Sequence, residues 1–137
     1  MNDDAILNRV ERISRSDVEP IISQSVGDDR IYVVEIDGTR IQSWHDYISV
    51  IQEEFRFPTL YDNMDGYNDW MRDLDWLNKD GFLLMIHNFS KFMTNMPNLR
   101  DKIIGGFSNT ILPFWKEEIK HVVVGGEPKS FMVYLVD

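Results

Sequence analysis

The order of apolar and polar positions predicts an alternation of helices and strands. Near the N-terminus, Ile6, Val10 and Ile13 share one face of a short helix over Asp4 to Ser14. Val18 to Val26 is ambiguous: Ile21-Ile22 after Pro20 suits an edge strand, and Gly27-Asp28-Asp29 has turn chemistry. Ile31 to Ile36 (IYVVEI) reads as a strand rich in β-branched residues, closed by Asp37-Gly38. Ser43 then caps a helix, with Asp46 as its acidic capping partner. Trp44, Tyr47, Ile48, Ile51 and Phe55 recur along it at helical spacing, and Phe57-Pro58 stops it. After a loop from Thr59 to Asp62, Asp62 or Asn63 caps a second helix that runs to about Leu77.

Phe82 to His87 (FLLMIH) is apolar without alternation, the pattern of a central parallel strand covered on both faces. Asn88 to Phe92 and Pro97 to Ile104 read as two short helices, and Gly105-Gly106 as a break. Ser108 or Asn109 caps a further helix with Ile111, Phe114, Trp115 and Ile119 on its apolar side, Pro113 being tolerated near its start. His121 to Val124 is a short strand or a fraying end, Gly125-Gly126-Glu127-Pro128 is a turn, and Phe131 to Val136 is a closing strand. Strands at 31, 82 and 131 separated by helices predict an α/β fold with a mainly parallel sheet of three or four strands packed against about four helices. Residues 1–30 form an N-terminal extension, a helix with an edge strand as one option, ahead of a main domain over 31–137.

Composition narrows the class. A chain of 137 residues, 43% hydrophobic and 27% charged, has the balance of one soluble globular domain. No apolar run approaches the 20 or so residues of a membrane span. Met1-Asn2-Asp3-Asp4 carries acid where a signal peptide carries Lys or Arg, so a cytoplasmic location is expected. The absence of cysteine removes disulfides, thiolate nucleophiles and Cys-based zinc sites. A net charge of −9 disfavours direct binding to nucleic acid; it would attract a basic partner, but total charge alone is explained more simply by solubility.

The most informative segment is Tyr61 to Leu77 (YDNMDGYNDWMRDLDWL). Met64, Tyr67, Met71, Leu74 and Leu77 step by three and four and share a buried face. Asp62, Asp65, Asp69 and Asp73 step likewise and form a separate carboxylate stripe, with Arg72 off that stripe. Such a stripe is locally unfavourable. Asp is a poor interior helix former, and like charges at i,i+4 cost about 0.2–0.5 kcal/mol per pair. Gly66 in the first turn costs about 1 kcal/mol more than Ala. A solvated face of an acidic protein is one explanation; a functional surface is the other.

Three chemistries can use the stripe. A calcium loop fails on register, because Tyr61 stands at its first ligand position and Arg72 at its last. A carboxylate pair for acid–base catalysis, with or without magnesium, needs environments that separate two pKa values. A protein interface needs only Arg and Lys on the partner, to which carboxylates offer charge-assisted and bidentate hydrogen bonds.

Asn63-Met64-Asp65-Gly66-Tyr67-Asn68-Asp69, preceded by Pro58, Leu60 and Tyr61, resembles the barstar family pattern, in which a Pro and an aromatic-rich loop lead into Asn-Leu-Asp-Ala-Leu-Trp-Asp. The order of elements from Ile31 to Asp137 agrees, and Trp115-Lys116-Glu117 lies where that family carries an aromatic, a base and a Glu. The resemblance implies an inhibitor or immunity protein whose acidic helix plugs the active site of a basic, secreted nuclease toxin, in most cases a ribonuclease. By the same resemblance Asp69 is the central carboxylate and Asp65 the second, Leu60 or Tyr61 packs on the enzyme, and Glu117 is a peripheral charge. Asp62, Asn68 and Asp73 complete the expected partner-binding set. Asn68 stands where the family has Trp, Gly66 where it has Ala, and Asp62 where a Gly or small polar residue is usual. Residues 1–30 and the connection from Glu118 to Ser130 have no counterpart in the family pattern.

Elsewhere the sequence offers structure more than chemistry. His87, after a buried strand, reads as a hydrogen-bonded boundary residue, and His45 and His121 are scattered. No nucleophile elbow, P-loop or dinucleotide fingerprint occurs. Trp70 suits the edge of the core or an interface anchor. The expectation is therefore a monomeric, non-enzymatic binding protein without cofactor or metal. Alternatives are a magnesium-dependent carboxylate enzyme combining Asp65 or Asp69 with Glu117, or a barstar-fold binding module with no nuclease target.

Overall fold

The computed structural model describes residues 7–137. Its centre is a four-stranded, all-parallel sheet in the order β1-β4-β3-β2, formed by β1 (Val10–Ile13), β2 (Ile31–Asp37), β3 (Gly81–His87) and β4 (Ser130–Val136). Helices α1 (Val18–Val26), α2 (Trp44–Glu54), α3 (Met64–Met71), α4 (Pro97–Gly106) and α5 (Ile119–Val122) connect and cover it. The α/β class and the parallel sheet agree with the sequence.

The unbroken apolar run of β3 has a direct cause, because both sheet faces are covered. Phe82, Leu84 and Ile86 point into the main core beneath α2, α3 and α4, together with Val34, Ile36, Phe131 and Val133. Leu83 and Met85 point the other way and join Val136 in a second cluster, closed by Val18, Ile21 and Ile22 of α1. The chain is thus a three-layer sandwich, and the N-terminal segment supplies its third layer.

That segment corrects two expectations. Val10–Ile13 is a strand and not part of a helix; residues 4–6 of the expected helix lie outside the described residues. Short apolar spacing serves helix and strand alike, and here the unpaired edge of β4 decides. Val10 to Ile13 pair with Val133 to Val136, and Asn8 anchors the approach by accepting from Phe131 N–H at 2.7 Å and donating to Lys129 O at 3.0 Å. Ile21-Ile22 lie in helix α1 and not in an edge strand, with Pro20 in the first turn where its missing N–H costs little.

Three further differences concern helix ends. The acidic helix stops at Met71 and not near Leu77, because Leu74 adopts a left-handed backbone (φ 52°) and a 3₁₀ turn follows at Asp75–Leu77. That conformation costs a β-carbon residue on the order of 1–3 kcal/mol, and the full burial of Leu74 against the core offsets it. Gly105-Gly106 does not break the chain. α4 runs on through π-helical turns at Phe107–Ile111 and Phe114–Glu118 into α5, so neither Ser108 nor Asn109 caps a new helix. Pro113 sits inside this helix between the two wide turns, where the i−4 bonding that its missing N–H interrupts is already displaced. Val123 is extended but pairs with no strand, so His121 to Val124 is the end of a helix. No described helix is long and apolar enough to cross a membrane.

Candidate functional site

The loop and helix from Thr59 to Met71 are held from beneath at several points. Asn63 caps α3 by accepting from Gly66 N–H at 2.7 Å. Trp44, the first residue of α2, donates its indole N–H to Asp62 O at 2.6 Å, and the Gln52 side chain accepts from Tyr61 N–H at 2.7 Å. Trp70 donates to Thr59 O at 3.0 Å. Deeper, the hydroxyls of Tyr47 and Tyr67 meet at 2.6 Å and tie α2 to α3 inside the core. Burial raises the pKa of both phenols above the ordinary tyrosine value.

Gly66 has a steric explanation. A β-carbon there would lie 2.5 Å from Cγ of Tyr61, because the Tyr61 ring lies over the bare helix backbone. The same ring packs 5.8 Å from Trp70, which contacts Trp76 edge-on at 5.1 Å. Tyr61 and Trp70 therefore work chiefly as internal supports of the loop. Leu60, 74% exposed against 40% for Tyr61, is the side chain that projects outward.

The predicted acids divide into groups. Asp65 and Asp69 stand one helical turn apart on α3, both exposed. Asp62 is exposed in the loop before the cap and Asp73 in the turn after the helix, so the stripe extends beyond the helix at both ends. Arg72 reaches this face after all: its guanidinium bonds Asp69 Oδ1 at 3.1 Å and Asn68 O at 3.1 Å. Asp69 remains 72% exposed, so this surface ion pair leaves it open to a competing cation. Asn68 is half-buried, and its Oδ1 is a buried acceptor without a partner. Glu117 is exposed on the π-turn at Phe114–Glu118, with Lys120 at 3.5 Å and His121 at 3.7 Å. His87 hydrogen-bonds Glu35 at 2.8 Å, the boundary role expected of it.

Asp69, Asp73 and the unforeseen Asp75 also line a cleft of about 780 Å³. Its floor holds Phe114, Trp115 and Ile119, and its far wall is the Val123–Lys129 connection, which brings in Glu127. Sequence spacing could not place Glu127 here, because only the fold brings that connection opposite α3. Among the described residues no group of three His, Asp or Glu is arranged to hold a metal ion.

A family model described as Barstar (barnase inhibitor) matches residues 31–124, well over half of the chain. The chain belongs to the barstar family. No curated protein matches it, and no solved structure does. The barstar family is one of inhibitors, and the partner class it implies is a ribonuclease-like protein. The matched segment spans β2 to α5 and contains all eight predicted partner-binding residues. It leaves out β1, α1, β4 and the cleft wall from Gly125 onward.

Proposed function

We propose that this chain binds a basic nuclease, in the first instance a ribonuclease, and occludes its active site with the α3 face. The observation that carries this reading is the exposed Asp65–Asp69 pair on a helix whose cap, loop and underside are each pinned by named hydrogen bonds. Binding then orders little that is not already ordered, which lowers the entropic cost of association.

The mechanism is occupancy without chemistry. Asp69 and Asp65 take the places that RNA phosphates would take and bond the enzyme's Arg and Lys side chains. Arg72 turns from Asp69 as the partner's cation arrives. Leu60 covers apolar surface at the edge of the active site, and Asp62, Asn68, Asp73 and Glu117 lie around the contact. The chain acts as a monomer in the cytoplasm, where it protects the cell from a nuclease toxin destined for secretion.

The test is a titration of a barnase-type basic ribonuclease with this chain. RNA cleavage falls to zero near equimolar ratio and a 1:1 complex elutes as one species. Undiminished cleavage at a several-fold excess, with no complex formed, contradicts the reading for that enzyme class.

A further inference from the structure

The cleft beside α3 shares only Asp69 and Asp73 with the contact described above, and it is a built feature. Its far wall is fixed by a turn in which Gly126 N–H donates to Val123 O at 2.9 Å. Gly125 takes a positive φ of 74°, and a β-carbon on Gly126 would lie 2.6 Å from Ile119 O, so both positions require glycine. Trp115 in the floor ties the two walls together, its indole donating to Met71 O at 2.9 Å and its carbonyl accepting from Lys129 N–H at 2.8 Å.

The lining combines two chemistries. Four carboxylates, Asp69, Asp73, Asp75 and Glu127, face two cations. Both cations are engaged from within: Arg72 on Asp69, and Lys129 through a 2.6 Å bond to Lys79 O and the faces of Phe82 and Trp115. Among the described residues Asp73, Asp75 and Glu127 have no ion pair. Beside them the apolar floor continues into the exposed edge of Val122, Val123 and Val124, the last of which is fully exposed.

We infer that this cleft receives an arginine-bearing, partly aliphatic loop of the same protein partner. The inference rests on the proposed function, since Asp69 belongs both to the α3 face and to the cleft rim. Charge complementarity selects the cation. The arginine side chain suits both parts of the lining: its N–H groups fork onto a carboxylate while its aliphatic stem lies along the exposed Val123. The aliphatic neighbours of the arginine cover Val123 and Val124. The cleft would thus extend the contact past the family-matched segment to Glu127 on its far wall.

The probe is the peptide acetyl-Leu-Arg-Leu-amide, titrated into the full isotope-labelled chain and followed by NMR. Saturable shifts are expected at Gly125, Gly126 and the Trp115 indole. Affinity is expected to fall about tenfold when Gln replaces the peptide's Arg, when Ala replaces its Leu residues, or in the Asp75→Asn/Glu127→Gln variant. Shifts that do not saturate, that stay on the Asp62–Asp69 face, or that are the same for the Gln peptide or the variant overturn the cleft. Those outcomes leave ribonuclease inhibition through Asp69 intact, whereas a chain that binds the peptide in the cleft but inhibits no ribonuclease overturns the proposed function instead.

Discussion

The hydroxyls of Tyr47 and Tyr67 lie 2.6 Å apart with both residues fully buried, one from α2 and one from α3. This contact joins the two helices that present the acidic face, and each hydroxyl is the other's hydrogen-bond partner. Tyr47→Phe or Tyr67→Phe alone leaves one buried hydroxyl unsatisfied and is expected to cost about 1–3 kcal/mol. The double variant removes both groups and costs less than the sum of the two. Urea unfolding of the four proteins measures the coupling; simple additivity contradicts the pairing.

The same two phenols predict an alkaline limit. Burial holds both pKa values above the ordinary tyrosine value of about 10. Below that pH the phenols are neutral in folded and unfolded chains alike, and their contribution to stability is complete. As the pH rises through about 10, the unfolded chain gains the option of ionising, and stability is lost progressively toward the raised folded-state values. The urea midpoint should fall between about pH 9 and pH 11, and less so in the Tyr47→Phe/Tyr67→Phe variant. Equal falls in both proteins would show that other groups control the transition.

Gly66→Ala separates helix propensity from packing. Propensity alone predicts a gain of about 1 kcal/mol. The Tyr61 ring occupies the space of the new methyl group, so the expected result is a loss on the order of 1–3 kcal/mol. In a Tyr61→Ala background the obstacle is gone and the substitution should become stabilising. A gain in both backgrounds contradicts the contact.

The third layer carries its own prediction. Met85 is buried in the smaller cluster beneath Ile21 and Ile22. Met85→Ala should cost about 2–5 kcal/mol. Removal of residues 1–30 should destabilise the remainder, because it uncovers Leu83 and Met85 and leaves the β4 edge unpaired. A truncated chain with an unchanged thermal midpoint would mean that residues 31–137 are self-sufficient.

These relationships mark what could be read from the sequence. FLLMIH announced a strand covered on both faces because nothing in it alternates. The buried side of α3 followed from spacing, and its cap was narrowed to Asp62 or Asn63, of which the fold uses Asn63. Tyr61 on Gly66 was not legible, because it joins a loop to a helix surface and leaves no periodic trace. The early end of α3 was hidden for a related reason: Leu74 is an unfavourable left-handed residue, fixed by tertiary burial. Gly105-Gly106 misled in the opposite sense, since packing carries the helix through two residues of poor propensity.

Association with a basic ribonuclease should be strongly salt-dependent. The Debye length shortens from about 30 Å at 0.01 M to about 3 Å at 1 M ionic strength. The association rate is expected to fall at least about tenfold across that range, with a much smaller change in the dissociation rate. Stopped-flow fluorescence measures both, and a salt-independent association rate contradicts steering by the acidic face.

The most direct measurement compares two single substitutions in calorimetric binding to that ribonuclease. Asp69→Ala removes the central carboxylate of α3, whereas Glu19→Ala removes an exposed acid on α1, across the sheet. Asp69→Ala should weaken binding by at least about 2 kcal/mol, roughly thirtyfold, and Glu19→Ala by less than about 0.5 kcal/mol. Equal losses from the two would show that general negative charge, and not the α3 face, holds the partner.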